Sequence, residues 1–281
     1  MDVIDYSPAR RVLAVTRGHP YDRNAFADLF VGLDDTDVCI VEQPLAQECF
    51  RPEIIRDFDA VLFYDMPGVD FSSSPGQARA TEPPVEFREN LLRMLADGMG
   101  VLFMHHALAA WPAWDEYAEI IGGRFHYQSS TLHEKRWPDS GYRHKVTHTM
   151  SVVGDHPLTR GVPAEFEMTD ELYLCPVFEE QLVPLLRSNY HFDSDHFYSA
   201  AEAVAGRLES RQGWQHPVGS SLVGWVKSWG KSPVVYLQGG DDAEALGNCQ
   251  FGKLVHNALR WLSDGESRKW VAERSLRAGS H

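Results

Sequence analysis

Hydrophobic and polar positions fall into two kinds of run along this chain. Arg11 to Thr16 (RVLAVT) is short, apolar and rich in β-branched residues. Gly18 and Pro20 follow it, so it predicts a buried strand. From Asn24 to Leu33 the spacing becomes helical, with Phe26, Leu29, Phe30 and Leu33 on one face and Asn24 placed to cap. Val38 to Val41 and Phe58 to Asp65 are further strands, the second stopped by Met66-Pro67-Gly68. Phe71 to Pro84 is polar and reads as a mobile surface loop. Val85 to Asp97 is an amphipathic helix. Gly100 to Met104 is apolar throughout, as a buried parallel strand should be. Ala107 to Ile121 is helical, broken or kinked at Pro112 and ended by Gly122-Gly123. Strand and helix thus alternate over the first 123 residues. This predicts an α/β fold, a mostly parallel sheet with right-handed crossovers and helices on both faces.

The pattern changes between Arg124 and Asp170. His126, Tyr127, Trp137, Tyr142, His144, Val146 and His148 stand there among Gly, Pro and Ser, which predicts short strands and long loops. Phe166 to Val177 and Leu182 to Ser188 are strand candidates, and Leu222 to Lys227 with Pro233 to Gln238 read as a hairpin. Asn248 to Ser263 is a long helix striped with Phe251, Leu254, Val255, Leu259 and Trp261. The polar tail after Asp264 either extends that helix or frays. No repeat or composition shift marks a boundary. Residues 11–263 read as one domain, with 1–10 and 264–281 as terminal extensions.

Composition adds exclusions. The net charge of −14 repels phosphate backbones and anionic lipids at long range, which speaks against nucleic acid and membrane surfaces as partners. No apolar run approaches the roughly 20 residues of a membrane span. The start MDVIDYSPARR has no apolar signal core, so a cytoplasmic location is expected. Cys39, Cys49, Cys175 and Cys249 form no CxxC pair and read as reduced thiols, with Cys39 expected to be buried in its apolar run.

Candidate chemistry follows from what each parallel strand delivers at its carboxyl end, where open α/β sheets bind ligands. The first delivers His19 and Tyr21, the third Asp65, the fourth His105-His106 with Trp111 and Trp114 beyond, and the last Gln238 and Asp241. His105-His106 occupies the strand-to-helix turn where hydrolases and amidotransferases hold a Ser or Cys nucleophile. With neither residue present, acyl transfer from that turn is disfavoured, and imidazole there suits a general base, a metal ligand or a hydrogen-bond donor. Thr169-Asp170-Glu171-Leu172-Tyr173 joins two acids to an aromatic ring, a pairing that suits sugars. Alternation along a strand lets only one of the two acids face the pocket. His144-x3-His148 lacks the glutamate of a metalloprotease motif, and no dinucleotide or nucleotide-phosphate loop is present. The expected catalytic set is His106, His105, Glu171 and Asp65. His19, Tyr21, Trp111, Trp114, Tyr173, Gln238 and Asp241 are expected to contact a small-molecule sugar. A divalent metal, zinc first, would draw on His19, His106, His144 and His148 with Asp65 or Glu171. Two-fold dimers being the commonest oligomers, a homodimer is expected.

Several long runs carry a family resemblance. FYDMPG (63–68), FMHHALAAWPAWDEYAEIIGGRF (103–125), PDSGYRHKVTHTM (138–150), DHPLTRGVPAEFEMTDELYL (155–174) and VGWVKSWGKSPVVYLQGGDD (223–242) resemble the ThuA-like family, named for trehalose utilisation. The resemblance implies a flavodoxin-like, class I glutamine amidotransferase-like fold in which His105 or His106 stands at the absent nucleophile's place. It also implies a role in sugar catabolism, beside dehydrogenases that make keto-sugars. The function expected is an enzyme acting on a sugar or keto-sugar. The alternative is a catalytically silent sugar-binding or sensing module.

Overall fold

The structure is a computed structural model and describes residues 9–72 and 76–278. In chain order the elements begin with β1 (Arg10–Arg17), α1 (Arg23–Asp28), β2 (Thr36–Glu42), α2 (Pro52–Ile55) and β3 (Ala60–Asp65). A small hairpin of β4 (Val69–Asp70) and β5 (Arg79–Ala80) leads to α3 (Val85–Ala96), β6 (Gly100–Met104) and α4 (Asp115–Ile121). Then come β7 (Ser130–Leu132), β8 (Lys135–Trp137), β9 (Gly141–Val152), β10 (Glu165–Leu174), β11 (Val183–Ser188), β12 (Tyr198–Ser199) and α5 (Ala200–Val204). The chain closes with β13 (Leu222–Trp229), β14 (Ser232–Leu237), α6 (Ala243–Leu246), α7 (Cys249–Ser263) and α8 (Gly265–Ala278).

Five strands in the order β2-β1-β3-β6-β14 are parallel, the flavodoxin-like order. Alternation along these strands feeds two cores. Val12, Ala14 and Leu62 pack under α1 and α7, against Phe26, Leu254 and Leu259. Leu13, Val15 and Phe63 pack under α3 and α4, against Phe87, Leu91 and Ile120. Helices therefore cover both faces, as the continuous apolar runs require. None of the described helices is long and apolar enough to cross a membrane.

Beyond β14 the sheet turns antiparallel through β13, β11, β9 and β10. β10 lies five steps from β6 in this order, about 24 Å in a flat sheet. Yet Glu171 of β10 lies 3.0 Å from His105, the residue after β6. The antiparallel half must therefore curl back over the carboxyl ends of the parallel strands. This curl builds the site.

Some elements differ from expectation. Asp22, not Asn24, caps α1, accepting from Asn24 and Ala25 N–H. The helix stops at Asp28 because turns lead to Gly32, held at φ 88°. The predicted helix from Ala107 begins as a 3₁₀ turn over His105–Ala109; Trp111, at φ 47°, and Pro112 interrupt it, so α4 starts only at Asp115. The loop from Phe71 is flanked by the β4–β5 pair, and residues 73–75 lie outside the described set. β9 is a 12-residue strand where short ones were expected. The tail forms a helix of its own, α8. Cys39 is exposed, because β2 is an edge strand paired only with β1; the four cysteines are free.

Candidate functional site

β6 ends at Met104, and the chain reverses at His105 with φ 42°. A left-handed non-glycine residue at a strand-to-helix turn costs energy and persists only where the surroundings over-determine it. They do so here. Tyr236 Oη donates to the His105 carbonyl at 3.1 Å, and the ring is fully buried. Nδ1 lies 2.6 Å from the Gln238 carbonyl, which can only accept, so Nδ1 carries a proton. Nε2 then points at Glu171 Oε2 (3.0 Å), Tyr173 Oη (3.0 Å) and Asp241 Oδ1 (3.5 Å).

Strand alternation and one bulge complete the cluster. On β10, Glu171 and Tyr173 share one face and meet His105, while Asp170 lies with Met168 and Leu172 on the other. On β9, Asp170 pairs with Val146 but Leu172 pairs with Arg143, so His144 and Lys145 together oppose Glu171. Lys145 takes φ 54° to make this bulge. A bulge re-aims side chains and flips the residues beyond it to the other face. Accordingly Tyr142 belongs to one core and Val146 and Met150 to the other. His144 Nδ1 thereby reaches Glu171 Oε1 (3.2 Å) and Asp241 Oδ2 (3.5 Å), and its half-exposed ring forms the mouth of the site.

Asp170, named in the sequence but not expected to take part, acts from the opposite face. Its carboxylate accepts from the Gly240 N–H (2.7 Å) and the Asp241 N–H (3.1 Å), which fixes the turn carrying Asp241. Burial pushes Asp170 up to about 7, partly offset by the charge of His105 and these N–H groups. Burial alone would lower the His105 pKa. Hydrogen bonds to Asp241 and Glu171 outweigh it and hold His105 well above its ordinary value. His144 is raised, chiefly by its bond to Asp241. Burial would raise Asp241, but both imidazoles hold it far below the carboxylate range.

The other expected residues lie around this cluster or apart from it. His106 turns away: its ring sits 4.4 Å from Tyr64 and 5.0 Å from half-buried His19, and its Nε2 donates to the Tyr64 carbonyl. Burial, then His105 and His19, push its pKa well down, so His106 is neutral and outside the acid cluster. Tyr21 packs edge-on to Tyr64 and donates to Thr16. Asp65 is buried on the α3 face, accepts from Gln43 Nε2 at 2.8 Å, and is pushed by burial to about 7. Trp111 and Trp114 are buried in the core beneath α3, where Trp111 packs on Phe87. Gln238 contributes its carbonyl. His148, beyond the bulge, faces Ser188 instead of His144, and burial pushes it down to about 4. The expected metal set of His19, His106, His144 and His148 is therefore not brought together. The bulge separates the last two, and the elbow turns His106 from His105. The described ligand atoms that converge, all within 4.8 Å of one another, belong to His105, Glu171 and Asp241.

The ThuA family, described as trehalose utilisation, matches residues 11–262. Among solved structures, a ThuA-like protein of Parabacteroides merdae is 14% identical, with a TM-score of 0.62, covering 92% of this chain and 91% of that one. A ThuA-like protein of Bacteroides uniformis is 17% identical, with a TM-score of 0.61, covering 93% and 94%. Cytoplasmic protein STM3548 of Salmonella typhimurium is 11% identical, with a TM-score of 0.53, covering 89% and 98%. No curated protein matches the sequence.

Proposed function

Because this chain belongs to the ThuA family, described as trehalose utilisation, we propose that it is a sugar-metabolising enzyme that moves protons on an oxidised, keto form of a sugar. The observation that carries this reading is the elbow at His105, where an imidazole replaces a nucleophile and meets a carboxylate and a phenol at 3.0 Å each. A sugar carbonyl acidifies the neighbouring C–H. Its proton can pass to a base while donors stabilise the charge growing on oxygen. Glu171 is the base, receiving that proton on a carboxylate oxygen. His105 and Tyr173 donate to the developing enolate oxygen, and Asp241 and His144 bind hydroxyls at the mouth. Asp170 positions Asp241 through the backbone.

The test is a panel of sugars and keto-sugars incubated with the protein in D2O and followed by NMR and mass spectrometry. Deuterium should enter at a carbon beside the carbonyl. Glu171→Gln should slow its entry by roughly 10²–10⁴-fold, the usual worth of a positioned acid–base group. Ligand-induced stabilisation with neither exchange nor product would sink the enzyme reading and leave a binding module.

A further inference from the structure

We propose that His105, Glu171 and Asp241, beneath His144 at the mouth, form a three-ligand binding site with an open position for one divalent metal ion, zinc being the metal its donors suit best. The inference rests on the reading of this cluster as the working site: an ion on His105 Nε2 and one Glu171 oxygen would take the place of the His105 N–H beside the substrate oxygen, and the second Glu171 oxygen would remain the base. Four features of the cluster argue for it.

The first is spacing. Ligand atoms about 2.1 Å from a tetrahedral metal stand about 3.4 Å from one another. His105 Nε2 stands 3.0 Å from Glu171 Oε2 and 3.5 Å from Asp241 Oδ1, and the ligand atoms of these three residues all lie within 4.8 Å of one another. His144 faces the other two oxygens, Glu171 Oε1 at 3.2 Å and Asp241 Oδ2 at 3.5 Å, so it stands at the mouth and the three inner groups converge on one centre.

The second is orientation. Metal-bound histidine almost always donates its other ring N–H to a carbonyl or carboxylate, which aims the free nitrogen at the metal. His105 does this, with Nδ1 on the Gln238 carbonyl and Nε2 aimed inward. The third is the outer shell: Asp170 clamps the backbone of Asp241. Outer partners of this kind orient metal ligands. The fourth is charge and access. A dication displaces the Nε2 proton of His105 to solvent, and the two carboxylates then carry the −2 that it balances. His144 is half exposed and Asp241 partly so, leaving a path of entry. Mixed imidazole and carboxylate donors favour zinc, with manganese and nickel behind it.

The full-length protein, purified without an affinity tag and stripped by a chelator, should bind one zinc per chain when titrated with zinc chloride alone. Its melting temperature should rise with free zinc as mass action requires. Glu171→Gln and Asp241→Asn should each weaken binding by more than about 100-fold, beyond the 10–100-fold typical of outer-shell changes. His148→Gln, outside the cluster, should leave the affinity unchanged. Circular dichroism checks each fold. If Glu171→Gln does not fold, Asp241→Asn, at a partly exposed position, decides. Stoichiometry well below one zinc per chain overturns the site, and so does tight binding that survives Asp241→Asn. One zinc per chain without sugar turnover would sink the proposed activity and keep the site. Deuterium exchange by a protein that binds no zinc would do the reverse.

Discussion

At the scale of single residues, buried histidines couple stability to pH, and His148 offers the cleanest case. Its pKa is pushed down to about 4 by burial, against an ordinary 6.5. The folded state thus binds fewer protons than the unfolded chain between those values. The stability it contributes is fully present above pH 6.5 and is lost as pH falls toward 4, at up to about 1.4 kcal/mol per pH unit. His148→Gln removes this linkage, so the stability difference between wild type and variant should shift in the variant's favour between pH 6.5 and 4.5. Urea unfolding across that range checks it, and a difference that stays flat with pH refutes it. Asp170 makes a second residue-scale prediction. Asp170→Asn turns one acceptor into a donor facing the Gly240 or Asp241 N–H, leaving a buried group unpaired at a cost of about 1–3 kcal/mol. Chemical denaturation gives that number, and turnover should fall with it as Asp241 loses its support.

At the scale of elements, the bulge in β9 decides where His144 points. Lys145 holds it in a left-handed conformation that glycine adopts freely and a β-branched residue does not. Lys145→Gly should therefore keep the site, while Lys145→Val should move His144. Misplacing a site residue by about 1 Å can cost up to about 100-fold in rate. Kinetics of the pair on the same substrate tests this, and equal rates would show that the bulge does not aim the site. The helices are terminated more conventionally. Asn248 caps α7 by accepting from the Gln250 and Phe251 N–H groups, so Asn248→Ala should cost about 1 kcal/mol without touching catalysis.

At the scale of the whole molecule, α8 adds an outer layer against α7 and β14. α8 lays Val271 into the core and packs Trp270 against Trp261 and His156. Its removal exposes surface worth about 3 kcal/mol at the usual value of apolar burial. A chain ending at Asp264 should therefore unfold at lower denaturant and retain its activity, because the cluster lies at the carboxyl ends of the parallel strands. Loss of activity in a truncated chain that still folds would show that α8 reaches the site in some other way.

Much of this was legible in the chain alone, because periodicity and punctuation are local. The apolar run 100–104, the helical stripe 248–263 and the hairpin around residues 228–232 each depend on neighbours a few positions away. So does the strand-to-helix turn that puts a histidine pair at the elbow. The alternation rule correctly put Asp170 and Glu171 on opposite faces. What the rule could not reveal is that the acid on the opposite, buried face holds Asp241 through backbone N–H groups. Only the fold chose His105 over His106, through one left-handed φ, and His144 over His148, through one extra residue in a strand. The contact between His105 and Glu171 joins positions 66 residues apart. It exists because small twists accumulate over five strand-to-strand steps until β10 lies across β6, a sum over the whole sheet that no local stretch of sequence carries.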